Sequence, residues 1–383
     1  MFNSIMVIIF VNSAFLIACA RIAGSMALFR LPGLIDPHVH LRDPGQTHKE
    51  DFFSGTTAAL SGGFTTILDM PNNKIAITTE QLLKEKIAIA KGSIVADVGF
   101  YFGSMGDNLN EFPKVVDKVF GLKLYLNQTT GNLLINKNKL KSIFSAWGKT
   151  VRHLPILVHA ENESLRSVLD VVKETKQNVH VCHVSTQADL ALILREKESR
   201  LPISCGVTPH HLFLTEHDAN VLGPFGKMKP PLAKRKDVDF LWKNLKAIDV
   251  VESDHAPHTR KEKLETTFGV TGLETTLPLL LTAVWEKRLN IDDIVRLCVT
   301  NPARIFGCQT DPNTHIEVDQ SISYTIENRK LYTKCGWSPF ANWRVKGKVR
   351  RVILRGKKVF EDGKGISVAK GSGRIIFPVP CAD

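Results

Sequence analysis

The sequence predicts an α/β protein built as a closed (β/α)8 barrel of the TIM type, with a small β-sandwich subdomain appended to it. Three observations carry that reading. Short β-branched runs alternate with amphipathic helical stretches from about Leu31 to Phe306, which is the pattern of parallel βα units. Eight such runs fit in this length, which favours a closed barrel over its rival, an open doubly wound sheet. After Phe306 the texture changes. The stretch Trp343–Phe360 alternates basic with β-branched residues, broken by Gly347, Gly356 and, just beyond, Gly363, as a small antiparallel sheet does.

Taken in order, the candidate strands are Leu34–His40, Phe64–Met70, Asp97–Gly103, Phe120–Leu126, Pro155–Ala160, Asn178–Val184, Pro202–Val207 and Val250–Asp254. Helical stretches such as Glu80–Ala90, Ala188–Lys197 and Val238–Ala247 lie between them. The expected organisation is an apolar N-terminal extension over residues 1–29, the barrel over 30–310, the β subdomain over 311–373 and a tail over 374–383.

Composition narrows the class. A chain of 383 residues with 43% hydrophobic content can bury one large barrel and an appendage. The formal charge of +12 suits a basic solvated surface, an anionic substrate or an acidic partner. Its Lys and Arg residues are spread out and form no nucleic-acid module, so no nucleic-acid partner is expected. Seven cysteines, at 19, 182, 205, 298, 308, 335 and 381, contain no CxxC pair. That usage points to a reducing, cytoplasmic setting. The apolar run Ile5–Ala20 is short for a membrane span and its basic flank is weak, so no stable membrane insertion is expected. A foreign extension, a targeting segment and an element packed on the barrel all stay open for it.

The chemistry gathers at strand ends, where barrel enzymes build their sites. His38 and His40 end the first strand, Lys123 lies in the fourth, His159 and His183 end the fifth and sixth, and Asp254 ends the eighth. Residues i and i+2 of a strand share a face, so both imidazoles of His38-Val39-His40 can reach one cation. A lone strand histidine is usually a hydrogen-bonded core residue; three such groups at strand ends form a metal-ligand set instead. An inward Lys123 is costly as an ammonium unless it snorkels to the barrel mouth. Carboxylated by CO2, it becomes an anionic carbamate able to bridge two cations. Asp254 could bind a metal with one oxygen and take a proton with the other, or simply cap the next helix.

The stretch Leu31-Pro-Gly-Leu-Ile-Asp-Pro-His-Val-His-Leu-Arg-Asp-Pro-Gly45 resembles the metal-binding signature of dihydroorotases in the amidohydrolase superfamily. Asp69-Met70-Pro71-Asn72, Gly121-Leu-Lys-Leu-Tyr-Leu-Asn127, Ser253-Asp-His-Ala-Pro-His258 and Gly272-Leu-Glu-Thr-Thr276 continue it in order. The likeness runs from about Leu31 to Gly371 and is strongest to the dihydroorotase domain of the animal multifunctional pyrimidine-synthesis polypeptide. It implies the reversible cyclisation of N-carbamoyl-L-aspartate to L-dihydroorotate in pyrimidine biosynthesis. It implies two zinc ions: one on His38, His40, Asp254 and carboxylated Lys123, the other on Lys123, His159 and His183. A hydroxide bridging them would attack the ring amide, with its pKa lowered to about 7 and Asp254 as general acid/base. Arg42, Asn72 and His258 would grip the substrate carboxylate, and the backbone near Phe268 and Gly269 would touch the ring. A homodimer and association with other pyrimidine-synthesis domains are also implied.

Four positions depart from the family pattern. Thr129-Thr130 replaces Thr-Phe on the loop over the site. Gly206 replaces the Glu that would join Cys182 at a third zinc, which makes a third metal doubtful. Lys229 and Thr271 stand where relatives carry other residues. Two other readings remain. One is an allantoinase or dihydropyrimidinase type of cyclic amidohydrolase, against which Arg42 and Asn72 argue because they call for a carboxylated substrate. The other is a non-catalytic scaffold, against which the complete ligand set argues.

Overall fold

The computed structural model describes residues 28–265 and 267–379. The apolar run Ile5–Ala20, Cys19 and Cys381 lie outside them. The chain opens on β1 (Phe29–Pro32) and enters the barrel with β2 (Leu34–Val39). Gly33 makes that step possible, because a Cβ there would lie 2.2 Å from Thr65 Oγ1. The barrel continues through β3 (Phe64–Asp69), β4 (Asp97–Phe100), β5 (Phe102–Gly103), β6 (Leu122–Tyr125), β7 (Ile156–His159), β8 (Val179–Val181), β9 (Ile203–Val207) and β10 (Val250–Val251). Every residue of Phe64-Thr-Thr-Ile-Leu-Asp69 is buried, as in parallel strands covered on both faces.

All the barrel pairings are parallel, in the orders β2-β3-β4 and β5 to β10. β4 and β5 form one stave interrupted at Tyr101, whose N–H still donates to Asp69 O at 3.1 Å. Closure comes from a parallel bridge between Val39 and His255, with His40 N–H donating to His255 O at 2.8 Å. Every predicted strand is present, though the last ends at Val251 rather than Asp254. One detail differs from simple alternation. The β2–β3 register slips between Asp36 and Val39, so a bulge at Pro37-His38 re-aims the first histidine.

The crossover helices begin where their caps dictate. Thr79 accepts from Leu82 N–H at 3.3 Å to start Glu80–Lys91, and Thr186 accepts from Asp189 N–H at 3.2 Å to start Gln187–Glu198. The helix expected over Val238–Ala247 instead spans Arg235–Lys243. Asn244 ends it, its side-chain amide donating to Phe240 O at 2.8 Å. Inside the barrel, Ile35, Leu68, Tyr101, Phe120, Leu157 and Phe306 form an apolar plug that floors the site.

The appendage is a five-stranded antiparallel sheet: β1, then β11 (His315–Thr325), β12 (Arg344–Leu354), β13 (Lys357–Glu361) and β14 (Gly365–Ile366). It draws on both ends of the barrel, since β1 pairs with β11 from Phe29↔Val318 to Pro32↔His315. The C-terminal segment then returns to the barrel, where Val98 N–H donates to Arg374 O and Ile376 N–H to Val98 O. No helix among the described residues is long and apolar enough to cross a membrane. Cys182, Cys205, Cys298, Cys308 and Cys335 are free thiols.

Candidate functional site

The C-terminal strand ends open on a cleft of about 390 Å³. His38, His40, Arg42, Asn72, His159, His183, Asp254, Phe268 and Gly269 all line it. Of the residues singled out in the sequence, Lys123 is fully buried and His258 stands behind Arg42, leaving both off the cleft surface.

Asp254 Oδ1 lies 3.1 Å from His40 Nε2 and 3.4 Å from His38 Nε2, and the three donor atoms lie within 4.8 Å of one another. Across the cleft, His159 Nδ1 faces His183 Nε2 at 3.0 Å and His159 Nε2 lies 3.3 Å from Glu161 Oε1, while His183 Nδ1 has no hydrogen-bond partner among the described residues. The rings of His38 and His183 are 5.2 Å apart, so the two groups adjoin. Backbone geometry aims them: His183 and Asp254 hold φ of 39° and 44°, a conformation that non-glycine residues keep only when their surroundings impose it.

Electrostatics set the protonation states. Burial pulls His159 down and His183 well down, and His40 falls to about 4 despite its bond to Asp254. Burial pushes Asp254 up, but His38 and His40 overcome it and hold the carboxyl well below the usual range. His38 is the exception: burial and Lys123 press it down, yet Cys182, Asp254 and Glu252 carry it up to about 10. Neutral imidazoles and an ionised carboxylate are the forms that ligate metals, so His40, His159, His183 and Asp254 stand ready while His38 would give up a proton to a bound cation. Together with the unpartnered buried Nδ1 of His183, this donor set fits divalent cations. Lys123 sits between the two groups. The one hydrogen bond of its ammonium goes to Cys182 Sγ at 3.1 Å, and it forms no ion pair among the described residues.

A second wall is built for an anion. Arg42, at φ 65°, donates from Nε to Pro257 O at 3.1 Å and places Nη2 3.2 Å from His258 Nε2. Lys49 Nζ meets His258 Nδ1 at 3.2 Å. Both flanking cations can only donate, and a neutral imidazole accepts at one nitrogen only. Burial between Arg42 and Lys49 drives His258 far below the ordinary histidine range. Asn72 joins the two walls, its Oδ1 2.6 Å from His40 Nδ1 and its Nδ2 donating to Thr130 O at 3.3 Å. Thr130 Oγ1 in turn donates to Phe268 O at 3.0 Å, and Lys229 Nζ stands 5.1 Å over the Phe268 ring.

Sequence reasoning assigned no role to Lys49, Tyr125 or Glu252. Tyr125 lines the cleft with its buried hydroxyl unpartnered among the described residues. Glu252 is wholly buried beneath the histidines. The signal for it was available: it stands two residues before Asp254, and the smallest residue, Gly206, faces it across β9. A Cβ on Gly206 would lie 2.6 Å from Glu252 Cδ.

A model of the "Amidohydrolase family" matches residues 29–359. Over 363 residues the chain is 44% identical to the "Multifunctional protein CAD" of Squalus acanthias, covering 93% of this chain and 16% of that protein. It also spans 16% of the "Multifunctional protein pyr1-3" of Dictyostelium discoideum, so it matches a small part of these long relatives. Against the "Dihydroorotase" of Pyrococcus furiosus it is 39% identical, covering 90% of this chain and 84% of that one. Among solved structures, an L-hydantoinase (dihydropyrimidinase) from Arthrobacter aurescens superposes with a TM-score of 0.87 at 26% identity, over 91% of this chain and 89% of that one. The inactive dihydroorotase-like domain of a Chaetomium thermophilum CAD-like multifunctional protein gives 0.75, also at 26% identity, over 92% and 98%. The chain therefore belongs to the amidohydrolase family and, within it, to the dihydroorotases.

Proposed function

We propose that this chain is a dihydroorotase, interconverting N-carbamoyl-L-aspartate and L-dihydroorotate. The observation that carries the reading is the shared cleft: a metal-type donor cluster beside Arg42 and Asn72, with His258 backing Arg42 from behind the cleft surface. His38, His40 and Asp254 would hold one zinc and His159 with His183 the other, Lys123 bridging them once carboxylated; the ions supply Lewis acidity and water activation at neutral pH. A buried amine whose one hydrogen bond among the described residues is to a thiol is suited to carboxylation, because the carbamate exchanges an isolated cation for a ligating anion.

The remaining chemistry belongs to side chains. The planar fork of Arg42 binds a carboxylate through two parallel bonds, backed by His258, while Lys49 behind it is already paired with Glu262 at 3.0 Å. Asn72 Nδ2 adds a donor beside them. In the hydrolytic direction water attacks the ring carbonyl and the carbon–nitrogen bond breaks. Asp254, anionic and in contact with His38 and His40, takes the water proton and returns it to the leaving nitrogen. The synthetic direction reverses each transfer. Thr129-Thr130, though lacking an aromatic, reaches Phe268 O and so keeps the loop over the ring-binding backbone of Phe268 and Gly269.

A small-molecule substrate follows from this reading, with a homodimer, a cytoplasmic setting and association with other pyrimidine-synthesis domains proposed alongside it. Likeness to an inactive relative gives the scaffold reading a specific basis, and likeness to a hydantoinase gives the alternative substrates one. Spectrophotometric turnover of L-dihydroorotate by zinc-replete protein, beside dihydrouracil and allantoin, separates all three. The expected result is turnover of dihydroorotate alone; inertness towards every substrate with two zincs bound would favour the scaffold.

A further inference from the structure

Glu252 follows β10 and lies entirely out of solvent. Three nitrogens face its carboxylate. The backbone N–H of His183 donates to Oε1, and His38 Nδ1 and His180 Nε2 each stand 3.4 Å from Oε2, within ion-pair reach of it but not in a formed hydrogen bond. The other ring nitrogen of His180 meets Ser204 Oγ at 2.9 Å. The other ring nitrogen of His38, Nε2, faces Asp254 Oδ1 at 3.4 Å within the His38–His40–Asp254 donor cluster. Only Gly206 leaves room for this arrangement, since any Cβ there would collide with the carboxylate at 2.6 Å.

An ionised carboxylate accepts and never donates. His38 faces a carboxylate from each ring nitrogen, Glu252 at Nδ1 and Asp254 at Nε2, both at 3.4 Å; a cation taken up at Nε2 displaces the proton there and leaves the ring's one proton on Nδ1, towards Glu252. We propose that Glu252 is a positioning residue that locks His38 in the Nδ1–H tautomer, aims Nε2 at the cation site and strengthens it as a donor. Through the His183 backbone the same carboxylate anchors the neighbouring ligand strand, so one buried anion registers both halves of the donor set. This inference rests on the metal reading above. Partners of this kind typically govern metal affinity by roughly 10–100-fold.

A different occupant of the same place would be a cation, because His38, Cys182 and Glu252 also bring donor atoms within 4.8 Å of one another. Against it, the Cys182 thiol already accepts from Lys123 and the carboxylate already faces three nitrogens.

The test is zinc stoichiometry and affinity by chromophoric-chelator competition on the wild type, Glu252→Gln and Cys182→Ala. Two equivalents in the wild type are expected, one of them weakened about 10–100-fold in Glu252→Gln with the circular dichroism spectrum unchanged. Tight wild-type binding with the same affinity in Glu252→Gln overturns this inference alone. A wild type that binds no zinc overturns the metal reading and this inference with it. A third equivalent lost in both variants also overturns it, by making Glu252 a ligand. If Glu252→Gln fails to fold, the ¹⁵N ring resonances of His38 in the zinc-loaded wild type decide. A proton on Nδ1 supports the proposal; a metal-bound Nδ1 or a protonated Nε2 overturns it.

Discussion

Arg42 and Asp254 both stand at positive φ, 65° and 44°, a conformation that costs about 1–3 kcal/mol for a side-chain-bearing residue. Each is held by partners that only its own chemistry satisfies: Pro257 O and His258 for the guanidinium, His38 and His40 for the carboxylate. Their substitutions should therefore separate cleanly in kinetics. Arg42→Lys keeps the charge and loses the fork, so KM for dihydroorotate should rise about 10–100-fold with kcat little changed, as for a lost charge-assisted bond. A large fall in kcat at unchanged KM would remove Arg42 from the carboxylate. Asp254→Asn keeps the shape and loses the base, so kcat should fall about 10²–10⁴-fold. Zinc content measured on the same sample distinguishes a lost proton carrier from a lost ligand.

At the scale of elements, the cleft wall is two backbone segments stapled by one buried amine. Lys263 Nζ donates to Lys227 O at 2.7 Å, Thr267 O at 3.0 Å and Gly269 O at 2.9 Å. Burial, with Lys227 nearby, pulls its pKa down from 10.5 to about 7. Between those values the unfolded chain binds more protons than the folded one, so this group makes stability rise with pH from about 7 towards 10.5 and adds no slope below. Urea midpoints at pH 7 and pH 9.5 should show wild type gaining up to about 3 kcal/mol relative to Lys263→Met; a constant difference would mean the amine stays charged throughout. That staple was invisible in the sequence, because its acceptors are backbone carbonyls with no residue signature. The barrel strands were visible, because β-branched runs buried on both faces carry a local pattern. So were the histidines at strand ends. The pairing of β1 with β11 was not, since its partner lies beyond the whole barrel and no local period encodes it. Glu252 was read past for a related reason: its meaning depends on the missing side chain at Gly206, one strand away.

At the scale of the whole molecule, two couplings should be measurable. Zinc that binds only the folded chain stabilises it by about 2.7 kcal/mol at a hundredfold excess over Kd, so chelation should lower the melting temperature and zinc, but not magnesium, should restore it. The second coupling is charge. A chain of formal charge +12 surrounds a cleft lined by Arg42 and Lys229, and such a field concentrates anions at the mouth. N-carbamoyl-aspartate carries two carboxylates and dihydroorotate one, so screening should penalise the open substrate more. As ionic strength rises from about 0.01 to 0.15 M, the screening length shrinks from about 30 to 8 Å. Over that range kcat/KM should fall most steeply for carbamoyl-aspartate and less for dihydroorotate, while the inhibition constant of an uncharged competitive inhibitor should stay the same. The ordering matters more than the size of any one slope, because a general salt effect on stability or metal binding would move all three together. Equal, shallow slopes would place the excess positive charge on faces remote from the mouth, leaving Arg42 and Asn72 to select the anion at contact range alone.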